Sequence, residues 1–156
     1  VREANFLSQV LLSSEMDFVF LDYELKRADI VSHLVGHEHH LVVQSLKYLS
    51  RNEVFLDVGP NDLATESFFE KQKGRKPKYR RSFVPDEFAL FDGVAKGFGS
   101  AVVARHMIPK GASIRIVEEY TPVKNPIILH YRRQPHYTRL HLAIRKALLN
   151  AKYPHK

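Results

Sequence analysis

Short apolar runs alternate along the chain with stretches whose apolar residues recur every three or four positions. Phe18-Val19-Phe20-Leu21, Leu41-Val42-Val43, Val54-Phe55-Leu56, Ala101-Val102-Val103, Ile114-Arg115-Ile116-Val117 and Ile127-Ile128-Leu129 predict strands. Each is too short for a helix, and polar or turn residues follow quickly. Most are continuous rather than alternating, the pattern of strands covered on both faces. Four helices fit around them. Residues 3 to 14 place Phe6, Leu7, Val10 and Leu11 on one stripe. Residues 62 to 73 begin at Asn61-Asp62, good capping types, and stop before Gly74. The segment from Asp86 to Lys96 takes Asp86 as its N-cap and leaves the helix at Gly97. The last helix, capped by Thr138, is the clearest. Leu140, Ala143, Ile144, Ala147 and Leu148 recur at helical spacing, while Arg139, Arg145 and Lys146 point elsewhere. Helix alternating with buried strand predicts an α/β architecture with largely parallel pairing. A polar break at Gly36 to His40 and a Pro-bearing one at Tyr120 to Pro126 are candidate crossings between two lobes.

Length and composition narrow the picture. A chain of 156 residues builds one good core or two small lobes. A hydrophobic fraction of 44% and a charged fraction of 26% are those of an ordinary globular protein. No apolar run approaches the roughly 20 residues of a membrane helix, and no signal-peptide pattern opens the chain, which points to the cytoplasm rather than a membrane. The absence of cysteine excludes disulfides, thiolate metal sites and a Cys nucleophile. A formal net charge of +7 favours anionic partners in general: nucleic acid, membrane surface or small anions. Much of the excess sits in Lys71 to Arg81 and in Arg132 to Lys156. Both stretches read first as loops or solvated helix faces and second as phosphate-contacting patches.

Several segments gain meaning from their order. Glu15-Met16-Asp17-Phe18-Val19-Phe20-Leu21 follows a helix with an Asp before an apolar strand. His37-Glu38-His39-His40-Leu41-Val42-Val43 is polar and then apolar. Val54-Phe55-Leu56-Asp57-Val58-Gly59-Pro60-Asn61-Asp62 reads as strand, polar turn and helix start. Phe83 to Ile108 reads as strand, turn, helix, then Val94-Ala95-Lys96-Gly97-Phe98-Gly99 and another apolar strand. There Gly97 ends a helix in a left-handed conformation, and Gly99 lets the chain turn tightly into the strand. A strand from Ile127 to Tyr131 and an amphipathic helix close the series. In this order the segments resemble the effector-binding domain of LysR-type transcriptional regulators over essentially the whole chain. The family's winged helix-turn-helix, its linker helix and the first strand-helix-strand of its sensing domain have no counterpart here. The His37 to His40 cluster and the basic loop before Arg81 carry more charge than the family pattern.

The resemblance implies a type 2 periplasmic-binding-protein-like two-lobed fold with an incomplete first lobe. Lobe I would comprise residues 1–38 and 122–156, and lobe II residues 39–121. It also implies a small-molecule effector bound between the lobes at the carboxyl ends of strands, where open α/β sheets place ligands. A homodimer would follow, contacting DNA only through the absent N-terminal domain, with no cofactor and no catalytic residues. Positions just past strand ends are then the effector candidates: Asp22 and Tyr23; Val58, Gly59, Asn61 and Asp62; and Val84, Pro85 and Asp86. Asp62 and Asp86 also stand where helices begin, and capping alone would explain both.

Other chemistry finds little support. On a strand His37 and His39 would share a face and offer nitrogen to zinc, but no third ligand is evident, so they read as residues leading into a strand. No Gly-x-Ser-x-Gly elbow or phosphate-binding loop is present, and Gly97-Phe98-Gly99-Ser100 precedes a strand rather than opening a helix. Glu118-Glu119 and Asp86-Glu87 are adjacent pairs that diverge, and nothing nominates a nucleophile with its base. Two alternatives remain beside a regulator's sensing domain. One is a free-standing solute-binding protein of the same two-lobed kind. The other is a basic nucleic-acid-binding module built on Lys71 to Arg81, where only Tyr79 supplies an interleaved aromatic.

Overall fold

The computed structural model describes residues 2–47, 53–73 and 77–153. Gly74, the centre of the first basic run and the last three residues of the second lie outside the described residues. In chain order the elements are α1 (Arg2–Leu12), β1 (Phe18–Leu21), β2 (Ile30–Ser45), β3 (Val54–Val58), α2 (Ala64–Glu70), β4 (Arg80–Val84), α3 (Glu87–Ala95), β5 (Ala101–Ala104), β6 (Ile114–Ile116), β7 (Val123–Arg132) and α4 (Arg139–Asn150). A single 3₁₀ turn, Arg105–Met107, follows β5. The chain divides into two compact units. Unit 1 holds residues 39–124, and unit 2 holds residues 2–38 with those from Asn125 onward. Both divisions fall inside strands. The polar stretch Gly36 to His40, expected as a break, continues β2 without interruption, and Val123 to Pro126 already belongs to β7.

In unit 1 the strands are covered on both faces. Leu41, Val43, Leu56, Ala101 and Val103 meet Leu90 and Val94 of α3. Their sequence neighbours Val42, Phe55 and Val102 point the other way, onto Phe68 and Phe69 of α2. The period-two alternation of a strand thus serves two apolar cores at once, and this is why the runs are apolar throughout. Unit 2 repeats the scheme. Val19 and Leu21 of β1 pack with Leu11 of α1, while Phe18 and Phe20 pack with Leu129, Tyr131 and the α4 residues Leu148 and Leu149.

The pairing departs from the expected parallel sheet. β1 runs antiparallel to β7 in the register Phe18–Tyr131 to Leu21–Ile128. β2 runs antiparallel to β5 (Leu41–Val103) and to β6 (Gln44–Arg115). Parallel pairing joins β3 to β4 and recurs at a bridge between Phe55 and Ser100. Continuous apolar runs report burial on both faces, which helices supply here, but burial does not encode strand direction.

Local signals locate both ends of α3 and the start of α4, whereas α2 is shorter than expected, Ala64–Glu70. Asp86 caps α3 by accepting from the Ala89 N–H at 2.8 Å, and Thr138 caps α4 by accepting from the His141 N–H at 3.1 Å. The α2 start differs: Leu63 is the N-cap, without a side-chain bond. Gly97 has the left-handed φ of 78° that ends α3. Gly99 serves another purpose than a turn. A Cβ there would lie 2.8 Å from the Val54 carbonyl oxygen, so the residue lets β5 start against the β3 backbone. On α1, Val10 and Leu11 are buried as expected, but Phe6 is exposed.

Most of the apolar stripe of the last helix faces outward, and of its five residues only Leu148 packs inward. Leu140 is 69% exposed and Ile144, Ala143 and Ala147 are exposed as well, whereas His141 is buried and Arg145 half-buried. Aromatic contacts explain the arrangement. The His141 ring stacks on Tyr137 at 4.6 Å and lies 4.5 Å from Phe18. The Arg145 guanidinium covers Tyr137 and Tyr131 at 5.5 and 5.8 Å.

Candidate functional site

The parallel neighbours β3 and β4 set the geometry of the strongest candidate in unit 1. Their register places Val58 opposite Val84, so the two loops that follow leave the sheet side by side. Val58, Gly59, Asn61 and Asp62 are therefore brought together with Val84, Pro85 and Asp86, as the strand-end argument anticipates. The first loop is a tight turn. Gly59 takes a φ of 81°, and its carbonyl accepts from the Asp62 N–H at 3.3 Å. The Asp62 carboxylate folds back over this turn, accepting from the Val58 N–H at 3.1 Å and the Ala64 N–H at 2.9 Å. Both its oxygens are engaged with backbone, so Asp62 builds the loop. Asp86 is exposed and caps α3. Asn61 is exposed on the same loop, with no hydrogen bond among the described residues. Two large apolar side chains also reach solvent beside the second loop, Phe83 and, at 88% exposure, Phe88.

Beneath the loops lies a polar group that the strand-end argument missed. Asp57, 1% exposed, accepts from the Thr65 hydroxyl at 2.6 Å and from Arg81 Nε at 2.5 Å. Arg81 also pairs with Glu66 at 2.8 Å and donates to the Asp62 carbonyl. Burial pushes the Asp57 carboxyl up, against the downward pull of the Thr65 and Arg81 hydrogen bonds and the Arg81 charge. Burial also opposes the charge on Arg81, but the Asp57 hydrogen bond and the Asp57 and Glu66 charges overcome it and raise its pKa. The two are held as an ion pair whose burial cost falls on Asp57. One arginine thereby ties β3, β4, α2 and the Asp62 loop together. The sequence signal was Asp57 itself, a lone charge inside Val54–Val58. Arg81 was hidden because it ends a basic run read as loop or solvated helix; in fact Arg80 and Arg81 open β4 and Arg81 points inward.

Asp22 and Tyr23 stand just past β1 in unit 2 and are exposed. The Tyr23 carbonyl receives the Nε2–H of the fully buried His130 at 3.0 Å, and the Ser32 hydroxyl lies 2.8 Å from His130 Nδ1. Burial depresses the His130 pKa. His37 to His40 occupy the middle of β2 rather than its start, and among the described residues no group of three or more His, Asp or Glu side chains is placed to hold a metal ion.

No protein-family profile and no curated protein sequence matches the chain. Solved structures do. The full-length LysR-type regulator LysG of Corynebacterium glutamicum, with bound arginine, superposes on 94% of this chain and 55% of its own, with a TM-score of 0.72 at 16% identity. The regulatory domain of Synechocystis CcmR, in complex with 2-PG, matches over 94% of this chain and 78% of its own, with a TM-score of 0.73 at 12% identity. The reduced regulatory domain of OxyR from Pseudomonas aeruginosa matches over 94% and 76%, with a TM-score of 0.69 at 13% identity. The chain has the fold of a LysR-type regulatory domain. This is the type 2 periplasmic-binding-protein-like α/β fold expected from the order of its segments. The chain spans about half the length of the full-length LysG regulator and about three-quarters of the separate regulatory domains. Among the described residues, no helix is long and apolar enough to cross a membrane.

Proposed function

We propose that the chain is the ligand-sensing part of a LysR-type transcriptional regulator, and that units 2 and 1 are the two lobes of its sensing domain. The observation that carries this reading is the fold likeness, which runs through more than nine-tenths of the chain to structures that are regulators or their regulatory domains. Two of those proteins hold small molecules, arginine in LysG and 2-PG in CcmR. In this chain the effector would sit on the paired loops after β3 and β4. Asn61 would offer its free amide, the Val58–Asp62 and Val84–Asp86 backbones would shape the floor, and Phe83 and Phe88 would supply apolar contact. Asp22 and Tyr23 are the candidates of unit 2. A regulator of this kind works by population shift: the effector prefers one arrangement of the protein and stabilises it. DNA would be contacted by a part of the regulator outside this chain, in a cytoplasmic homodimer without catalytic activity.

The test is a thermal-shift screen of the chain against small carboxylates and aromatic acids lacking an amine. A ligand of the folded state raises the melting temperature in a saturable way. One metabolite class is expected to do so, and Asn61→Ala to abolish the shift while leaving the unliganded melting temperature unchanged. A saturable shift that survives Asn61→Ala would remove the loops after β3 and β4 as the effector site.

A further inference from the structure

We propose that unit 1 carries a second small-molecule site, at the amino ends of β3 and β4, which takes a zwitterionic α-amino acid with an apolar side chain. A cavity of about 570 Å³ opens there, within the range of about 300 to 1,000 Å³ usual for ligand pockets. Glu53 and Phe55 stand at the start of β3, Lys78 just before β4, and Arg115 on β6. The site is at the opposite end of these strands from the loops after Val58 and Val84. It stands independently of the effector site proposed above.

Three features make this more than a dent in a charged surface. The first is a rigid apolar floor. Tyr120 and Val117 line the cavity half-buried, and Tyr120 is locked edge-on against the buried Phe69 at 5.3 Å, with Phe55 sealed beneath, so the apolar surface is formed before any ligand arrives. The second is a positioned cation. Arg115 lies opposite Gln44 in the β2–β6 register and donates to its Oε1 at 3.2 Å, while Gln44 Nε2 donates to the buried Ser100 hydroxyl at 3.0 Å. This chain fixes which way the Gln44 amide points and holds the guanidinium in the wall. The third is charge left over. Glu53, Glu118 and Glu119 line the cavity together with Lys78 and Arg115, and among the described residues none of the five has an ion-pair partner. Arg115 lies only three or four residues from Glu118 and Glu119, yet it is paired with neither. A ligand with one carboxylate and one ammonium group offers a partner to charges of both signs. A simple anion or cation meets one sign and is repelled by the other. The apolar floor then favours an amino acid with an aromatic or aliphatic side chain.

The experiment titrates L-phenylalanine, phenylacetate and phenethylamine into the Asn61→Ala chain by calorimetry, so that the other site is weakened in every arm. L-Phenylalanine is expected to bind saturably, and each half-charged analogue at least tenfold more weakly. Adding Arg115→Gln should abolish L-phenylalanine binding, and adding Glu118→Gln with Glu119→Gln should weaken it, both at an unchanged melting temperature because these side chains are exposed. Absence of saturable L-phenylalanine binding at millimolar concentration would overturn the proposal. So would binding that survives Arg115→Gln, or equal binding of the three compounds.

Discussion

Asp57 keeps its charge in a nearly sealed environment because Thr65 and Arg81 both reach it, and Arg81 is in turn held by Glu66 and the Asp62 carbonyl. Removing one member of such a group strands the other. Arg81→Met should therefore cost about 3–5 kcal/mol of stability, measured by urea denaturation, because it leaves a carboxylate buried without its cation. Asp57→Asn introduced with Arg81→Met should recover much of that loss, since no charge is then left to desolvate. A single variant as stable as the parent would show that the pair contributes nothing to the fold. His130 presents the same physics in a titratable form. Its two hydrogen bonds suit a neutral ring with the proton on Nε2, and burial lowers its pKa even though Glu24 pulls the other way. The folded protein then binds fewer protons than the unfolded chain once the pH drops below the ordinary imidazole value of about 6.5. Stability attributable to His130 is fully present above that value and is lost as the pH falls toward the folded pKa. The melting temperature should fall between about pH 7.5 and pH 5.5, and fall less in His130→Gln. Equal slopes in the two proteins would absolve this residue.

At the scale of elements, α4 separates what periodicity reveals from what it hides. The spacing of Leu140, Ala143, Ile144, Ala147 and Leu148 located the helix, and Thr138 its start, because both depend on neighbours in sequence. Which face turns inward depends on distant partners. Tyr131 and Tyr137 recruit Arg145, and Phe18 with Tyr137 recruits His141, so a basic residue and a histidine occupy the inner face. The strands behave alike. Their positions were legible from apolar runs, but their antiparallel registers join residues as far apart as Phe18 and Tyr131. β4 escaped the apolar pattern at its start because two of its five residues are arginines. The outward-facing part of the stripe yields a contrast in stability. Leu140→Ala and Ile144→Ala should each change unfolding free energy by less than about 0.5 kcal/mol, as surface substitutions do. Leu129→Ala, at a fully buried position, should cost about 2–5 kcal/mol. A large loss at Leu140 would mean that this face is covered in solution.

For the whole molecule, the α/β order and its likeness to a sensing domain could be read from the chain, because each segment carries a local signature and the order of segments is itself sequence. The candidate site was only partly legible: strand ends can be located, but Asp62 and Asp86 prove occupied by backbone, and the Asp57–Arg81 pair beneath them depends on two strands meeting. The same structure decides what the formal charge of +7 is worth. Direct nucleic-acid binding needs cations free to meet phosphates. Arg81 is instead neutralised by Asp57 and Glu66, Arg27 is paired with Asp29, Lys96 with Asp92, and Arg145 lies over aromatic rings. Within the basic run Arg81 is thereby withdrawn from phosphate contact, and the other three cations are engaged elsewhere on the chain. Affinity for random duplex DNA rests on counterion release, with a slope of log K against log salt of about −0.9 for each phosphate neutralised. This chain alone should show a slope shallower than about −2, and only weak binding at about 0.15 M salt. A slope several times steeper would mean that Lys71 to Arg81 contacts the backbone directly. The chain would then be a nucleic-acid-binding module in its own right, rather than a sensor that reaches DNA through another part of a regulator.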